Sequence, residues 1–401
     1  MTDLHLLDAA GAASTADLRE APAYTRPTKP LVSRIAYAAA HVVPRVTADN
    51  TPGRPADIDW DATIDFRRHV WSWGLGVADA MDTAQRNMGL DAAATRELIA
   101  RSAQAAREEG GALVVGVNTD HIDDEVITLD AVIDAYKEQL HFSEDAGAGV
   151  VLMASRHLAR AATSADDYVR VYREVLDAAT TPVILHWLGA AFDPSLAGYF
   201  GSTDSATASS TVLEIITENA EHVSGIKMSL LDPIAEIAVR GRLPETATMF
   251  TGDDFNYVGL IAGSGGASTG SPTGRQHSNA LLGAFAALAP SASAAIQALD
   301  AGDRGEFESI LGPTEDLSRQ IFAAPTFYYK TGVAFMSWLN GHQQAFTMVG
   351  GLHSARSLPH LSEIVRIANR SGALESPELA ADRWHGLLRL NGVDLPTGAG
   401  A

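Results

Sequence analysis

Short apolar runs alternating with longer amphipathic stretches dominate this chain from residue 35 onward, and they leave it few folds to choose from. The runs are Ile35 to Ala40, Leu75 to Ala80, Ala112 to Val117, Gly149 to Met153, Pro182 to Leu185, His222 to Ile226 and Ala247 to Thr251. Near-continuous apolar strands are those of a parallel sheet covered on both faces; half-solvated strands alternate instead. The stretches between them begin at capping residues: Asp59 to Val70, Asp91 to Glu109, Thr128 to Asp145 and Ser164 to Ala179. A side-chain oxygen there satisfies a backbone N–H that the helix leaves free. Seven such units precede residue 255, and an eighth strand is expected near Leu260 to Ala267, where Gly and Ser are dense. The repeat predicts an α/β fold, a (β/α)8 TIM barrel, over residues 32–290. No Gly-x-Gly-x-x-Gly follows the first run, which argues against a dinucleotide-binding sheet.

Two segments lie outside the repeat. Residues 1–31 are rich in Ala, Pro and Thr without a sustained period, and read as an N-terminal arm packing on a neighbour or on the barrel bottom. Residues 291–401 read as a C-terminal helical extension, with helical stretches at Ala294 to Leu299, Arg304 to Leu311, Leu317 to Phe322 and Tyr328 to Leu339. The polar insertion Gly263 to Asn279 is expected to loop over the barrel mouth, being too long for a plain turn.

Composition narrows the function classes. Of 401 residues, 46% are apolar and 19% charged, and the net charge is −20. That balance is globular and disfavours nucleic acid or an anionic membrane as partner. No apolar run approaches the roughly 18 residues of a membrane span, and the start Met1-Thr2-Asp3-Leu4-His5 has no basic leader pattern. A cytoplasmic protein is expected. With no cysteine, thiol nucleophiles, thiolate metal sites and disulfides are all excluded.

In a barrel of this kind the chemistry sits where strands end. The runs lead into His41, then Asp79, Asp82 and Thr83, then Asn118, Thr119, Asp120 and His121, then Ser155, Arg156 and His157, then His186, Lys227, and Asp253 and Asp254, with His277 in the following loop. Lys227 ends an apolar run in Val223-Ser224-Gly225-Ile226-Lys227. Removing a lysine from water lowers its pKa and frees the amine to attack a carbonyl. Taken singly, each neighbour has a plainer reading: Asp82, Asp120 and Asp253 as helix caps, His186 as a backbone-bonded core histidine, Arg156 as the partner of a loop acid. Lys330, after two tyrosines, reads as a surface or subunit-contact lysine.

The order of these motifs resembles the dihydrodipicolinate synthase and N-acetylneuraminate lyase superfamily of class I Schiff-base aldolases over roughly residues 32–340. Gly225-Ile226-Lys227 is similar to the strand bearing the Schiff-base lysine. Thr251-Gly252-Asp253-Asp254 is similar to the Gly-Asp-Asp after the seventh strand, and Thr181-Pro182-Val183-Ile184-Leu185 to the strand before the catalytic tyrosine. Two departures are clear. The family's tyrosine segment is His186-Trp187-Leu188-Gly189 here, and its carboxylate-binding Gly-Thr-Thr-Gly-Glu is Met81-Asp82-Thr83-Ala84-Gln85. An Asp in that loop repels a substrate carboxylate at short range, which favours a neutral keto sugar over a keto acid. Arg156 keeps the acid open.

The resemblance implies a lyase, an aldolase or a dehydratase, needing no cofactor beyond the imine on Lys227, with His186 as proton shuttle and Asp82 assisting. Thr83, Asn118, Asp120, Ser155, Arg156, Asp253, Asp254 and His277 are then the substrate-binding set, for a small keto sugar or keto acid. It also implies a homodimer or homotetramer. Two alternatives stay open. His41, His121, His186, His277, Asp82 and Asp254 supply ligand types for a divalent metal in place of the imine; or the barrel binds a small sugar without turnover.

Overall fold

The computed structural model describes residues 3–263 and 276–395. Eight parallel strands close into a barrel: β1 (Ala36–Ala39), β2 (Gly76–Asp79), β3 (Leu113–Val117), β4 (Gly149–Leu152), β5 (Val183–Leu188), β6 (Val223–Ser229), β7 (Thr248–Thr251) and β8 (Asn279–Leu282). β8 completes the ring by pairing with β1 through Ala280–Ala36, Leu281–Tyr37 and Leu282–Ala38. Helices follow the strands as the alternating pattern requires. Trp60–Ser72, Ala92–Glu109, Leu129–Asp145 and Ala165–Leu176 begin at the caps Asp59, Asp91, Thr128 and Ser164, each of whose side chains accepts a backbone N–H of the first turn.

Two-residue alternation decides which side chains enter the barrel. Ala39, Ala78, Val114, Val151, Met153, Ile184, Phe250 and Leu281 form the packed interior. Lys227 shares the parity of Gly225, where an added Cβ would meet the Phe250 ring at 2.9 Å. His186 shares that of Ile184. Both therefore project inward, on adjacent strands paired at Ile226–Leu185 and Lys227–His186.

Two expectations change. The eighth strand is Asn279–Leu282, while the apolar run Tyr257–Ala262 is a helix; six apolar residues fit either element when periodicity is the only guide. The expected loop over the mouth falls mostly outside the described residues. The N-terminal arm contains an antiparallel hairpin of Asp3–Leu7 and Ala13–Asp17, docked on the chain's own C-terminal helices. There Leu7 N–H donates to Ser362 Oγ at 2.6 Å and Trp384 Nε1 donates to the His5 carbonyl at 2.7 Å. Leu4 and Leu6 are buried with His5 between them half-buried, a two-residue period too brief to register as a pattern.

The C-terminal extension comprises helices at Ala289–Asp300, Arg304–Leu311, Thr314–Ile321, Tyr329–Leu339, Leu358–Ser371 and Pro377–Leu390. Every residue of Tyr329–Leu339 is buried. That helix carries side chains to the barrel mouth.

Candidate active site

Lys227 lies within β6 and not at its end, with Met228 and Ser229 still in the strand, and it is 8% exposed. Burial lowers its pKa, opposed by the nearby negative charges of Asp82 and Asp254. A larger share of the amine is thus neutral, and nucleophilic, than in water. Gly252 makes room for it: a Cβ there would stand 2.2 Å from Ser229 Oγ and 2.8 Å from Lys227 Cε. This is the glycine that the Gly-Asp-Asp likeness placed after β7.

Asp254 is buried, and one of its carboxylate oxygens accepts the Ala284 N–H at 2.9 Å. Burial raises its pKa well above the carboxylate range, while the Ala284 N–H and the Lys227 charge pull it down. Its proton therefore moves at far milder pH than an exposed aspartate's. His186 is fully buried, its Nε2 3.2 Å from Ser229 Oγ and its Nδ1 unpartnered among the described residues. Burial, then the Lys227 charge, hold its pKa well below the ordinary value. It is a neutral imidazole at neutral pH, so the ready titration expected of a histidine shuttle is absent there.

Sequence reasoning missed the contribution of the C-terminal extension. Tyr329 Oη is 2.8 Å from Thr83 Oγ1, and Asp82 and Asp254 both act on it electrostatically. A phenol does stand at this mouth, but it arrives from helix Tyr329–Leu339 and not from the end of β5. Its ring stacks on Phe322 with centroids 4.3 Å apart and meets Phe192 edge-on at 5.9 Å. Lys330, expected at the surface, is 3% exposed. Its Nζ donates to the Phe327 carbonyl at 3.1 Å, and its pKa falls to about 8, with burial the largest cause and the charges of Asp82 and Asp193 acting against it. A lysine in a contiguous aromatic stretch looks like surface until the fold shows what covers it. Ser229 was likewise unmarked.

The remaining expected residues divide. Asp82 acts on Lys227 through its charge, and Thr83 is bound to Tyr329. Asp120 is taken up by the buried Arg86, which donates Nε to it at 2.8 Å and a second N–H to its other oxygen. Ser155 caps helix Arg156–Ala161, accepting the Leu158 N–H at 3.0 Å, and lies 2.7 Å from Thr119 Oγ1. Asn118 Oδ1 accepts the Thr119 N–H at 2.6 Å. Arg156 Nε donates to Asp193 at 2.5 Å. Asn118, Asp120 and Arg156 line a separate cleft of ≈ 200 Å³ whose walls do not include Lys227. Asp253 folds its own turn, accepting N–H groups of Phe255 at 2.9 Å and Asn256 at 3.2 Å. His277 precedes β8 and so sits at the amino end of that strand, away from the mouth; placing the strand too early had put it on the wrong side.

The six residues weighed as metal ligands do not converge. His41 is buried against Gln343, with Nε2 3.1 Å from Oε1, and Gln139 faces His121 Nδ1 at 2.7 Å. Among the described residues, the ligand atoms that come together in a group of three belong to His69, His342 and Glu375. No helix among those residues is long and apolar enough to cross a membrane.

A family model described as "Protein of unknown function (DUF993)" matches residues 4–393. The chain belongs to that family. No curated protein sequence matches it. Solved structures do. A dihydrodipicolinate synthase from Bacteroides thetaiotaomicron superposes with TM-score 0.62 at 15% identity, covering 84% of this chain and 98% of its own. The 4-hydroxy-tetrahydrodipicolinate synthase of Methylacidiphilum fumariolicum SolV gives 0.61 at 15% identity, over 86% and 99%. The KD(P)GA of T. tenax gives 0.58 at 16% identity, over 84% and 99%. At such identities the likeness is one of fold alone, the (β/α)8 barrel.

Proposed function

We propose that this protein is a class I lyase that forms a Schiff base between Lys227 and the carbonyl of a small keto acid or keto sugar, then makes or breaks the adjacent carbon–carbon bond. The observation that carries the reading is a buried amine of lowered pKa on β6, facing the proton-carrying Asp254 in a barrel of aldolase-type fold. Neutral Lys227 Nζ adds to the carbonyl carbon and the oxygen takes up a proton. Loss of water leaves an iminium, which accepts the electron pair of the breaking bond. Asp254 is the proton carrier, since its pKa is displaced toward neutrality. Tyr329, held protonated by burial, donates a hydrogen bond to the carbonyl or hydroxyl oxygen at the mouth. His186 orients Ser229 as a neutral imidazole.

Lys330 also revises the substrate class. Asp82 alone would repel a carboxylate, but the charges of Asp82 and the buried Lys330 act on each other, and the lysine offsets that repulsion. A keto acid is then as acceptable as a keto sugar. The test is borohydride reduction with pyruvate, 2-oxobutyrate and dihydroxyacetone in turn, followed by peptide mapping. An adduct is expected on the peptide containing Lys227, retained in Lys330→Ala and absent from Lys227→Ala. Adducts confined to Lys330, or none with any keto acid or keto sugar, would sink the assignment.

A further inference from the structure

Outside the mouth, helix Trp60–Ser72 faces the C-terminal extension, and three ligand-type side chains from distant parts of the chain meet there. His69 comes from the last turn of that helix, His342 from the turn after helix Tyr329–Leu339, and Glu375 from the turn before helix Pro377–Leu390. One ligand atom from each lies within 4.8 Å of the other two. His342 Nε2 is 2.9 Å and His69 Nε2 3.6 Å from the same Glu375 oxygen, and the side chains are 14–24% exposed. We propose that His69, His342 and Glu375 form a binding site for a divalent transition-metal ion of the zinc type, which ties the first barrel helix to the C-terminal extension.

Bonds of about 2.0–2.2 Å to a tetrahedral zinc place neighbouring ligand atoms about 3.3–3.6 Å apart. The 2.9 and 3.6 Å imidazole–carboxylate separations bracket that spacing, and the ligand atoms of the two histidines lie within 4.8 Å of each other. Two imidazoles and a carboxylate suit zinc better than magnesium or calcium, which take oxygen ligands. Without an ion the arrangement is satisfied only in part: His342 and Glu375 are hydrogen-bonded at 2.9 Å. One carboxylate oxygen faces two imidazole nitrogens, and at 3.6 Å the His69 contact is beyond hydrogen-bond reach. The rings are also held in place: their centroids are 4.1 Å apart, Phe66 meets His342 edge-on at 5.6 Å, and it stacks with His69 at 6.0 Å. Partial exposure leaves the remaining coordination position to water, as a three-ligand site requires.

The readout is bound metal and unfolding temperature, independent of turnover. Protein made without a polyhistidine tag is stripped with EDTA, dialysed against low-micromolar zinc chloride, and its metal content measured; parallel samples are melted with zinc or magnesium. About one zinc per chain is expected, with a Tm that climbs with the logarithm of zinc concentration and does not move with magnesium. His69→Gln, His342→Gln and Glu375→Gln should each bind zinc at least about tenfold more weakly, since even second-layer partners of a ligand matter that much. No zinc retained by the unaltered protein, or equal retention by the variants, overturns the proposal. Should His342→Gln fail to fold, His69→Gln still decides the matter, because no hydrogen bond to its ring is lost.

Discussion

At the scale of single residues, the reach of Lys227 is set by what is missing beside it. The backbone of Gly252 passes so near that an added methyl would stand 2.2 Å from Ser229 Oγ and 2.8 Å from Lys227 Cε. Gly252→Ala should therefore move the amine off its line of attack and lower the rate of imine trapping on the order of a hundredfold, with the circular dichroism of the fold retained. An unchanged trapping rate would mean that the lysine swings freely. Lys227 and Asp254 were legible in the sequence because an ammonium in an apolar run and a Gly-Asp-Asp are local signals. Lys330 and Tyr329 were not, because their importance depends on a contact with Thr83 and Asp82 some 250 residues earlier in the chain.

At the scale of elements, caps and apolar runs located four barrel helices and seven strands closely, since each is decided within a few neighbouring residues. The N-terminal hairpin had no such local support. Its turn is closed by Asp8, whose side chain accepts the N–H groups of Ala10 at 2.9 Å and Ala12 at 2.8 Å, but its apolar face is stabilised by the far end of the chain. Leu4 is completely buried there. Leu4→Ala is expected to cost about 2–5 kcal/mol, the usual range for truncating a buried leucine, measured as a lower urea midpoint with unchanged slope. A cost within error of zero would mean that the hairpin docks without contributing to the fold.

At the scale of the whole molecule, the ring depends on the seam where the last strand arrives. Ser278, just before β8, donates to Glu236 Oε1 at 2.7 Å and accepts from Arg240 at 2.9 Å. Glu236 is buried, and burial raises its pKa to about 7 despite the Ser278 hydrogen bond. A raised carboxyl binds its proton more tightly in the folded state. Its stabilising share is complete below the unfolded value near 4.5 and is lost as pH rises through 7. Each pH unit between the two is worth about 1.4 kcal/mol, so the stability of the natural protein relative to Glu236→Gln should fall by about 3 kcal/mol at most between pH 4.5 and 8. Urea unfolding of both proteins at the two pH values measures it, and a constant difference would contradict the assignment. The amino-acid sequence by itself determined the barrel, the order of its units and the strand that carries Lys227, because periodicity, capping and strand parity act over a few residues. Only the tertiary structure decided that strand eight begins at Asn279, that His277 faces away from the mouth, and that Tyr329 and Lys330 complete it. Ring closure and the return of the C-terminal helices bring together residues hundreds of positions apart, and no local pattern encodes which of them meet.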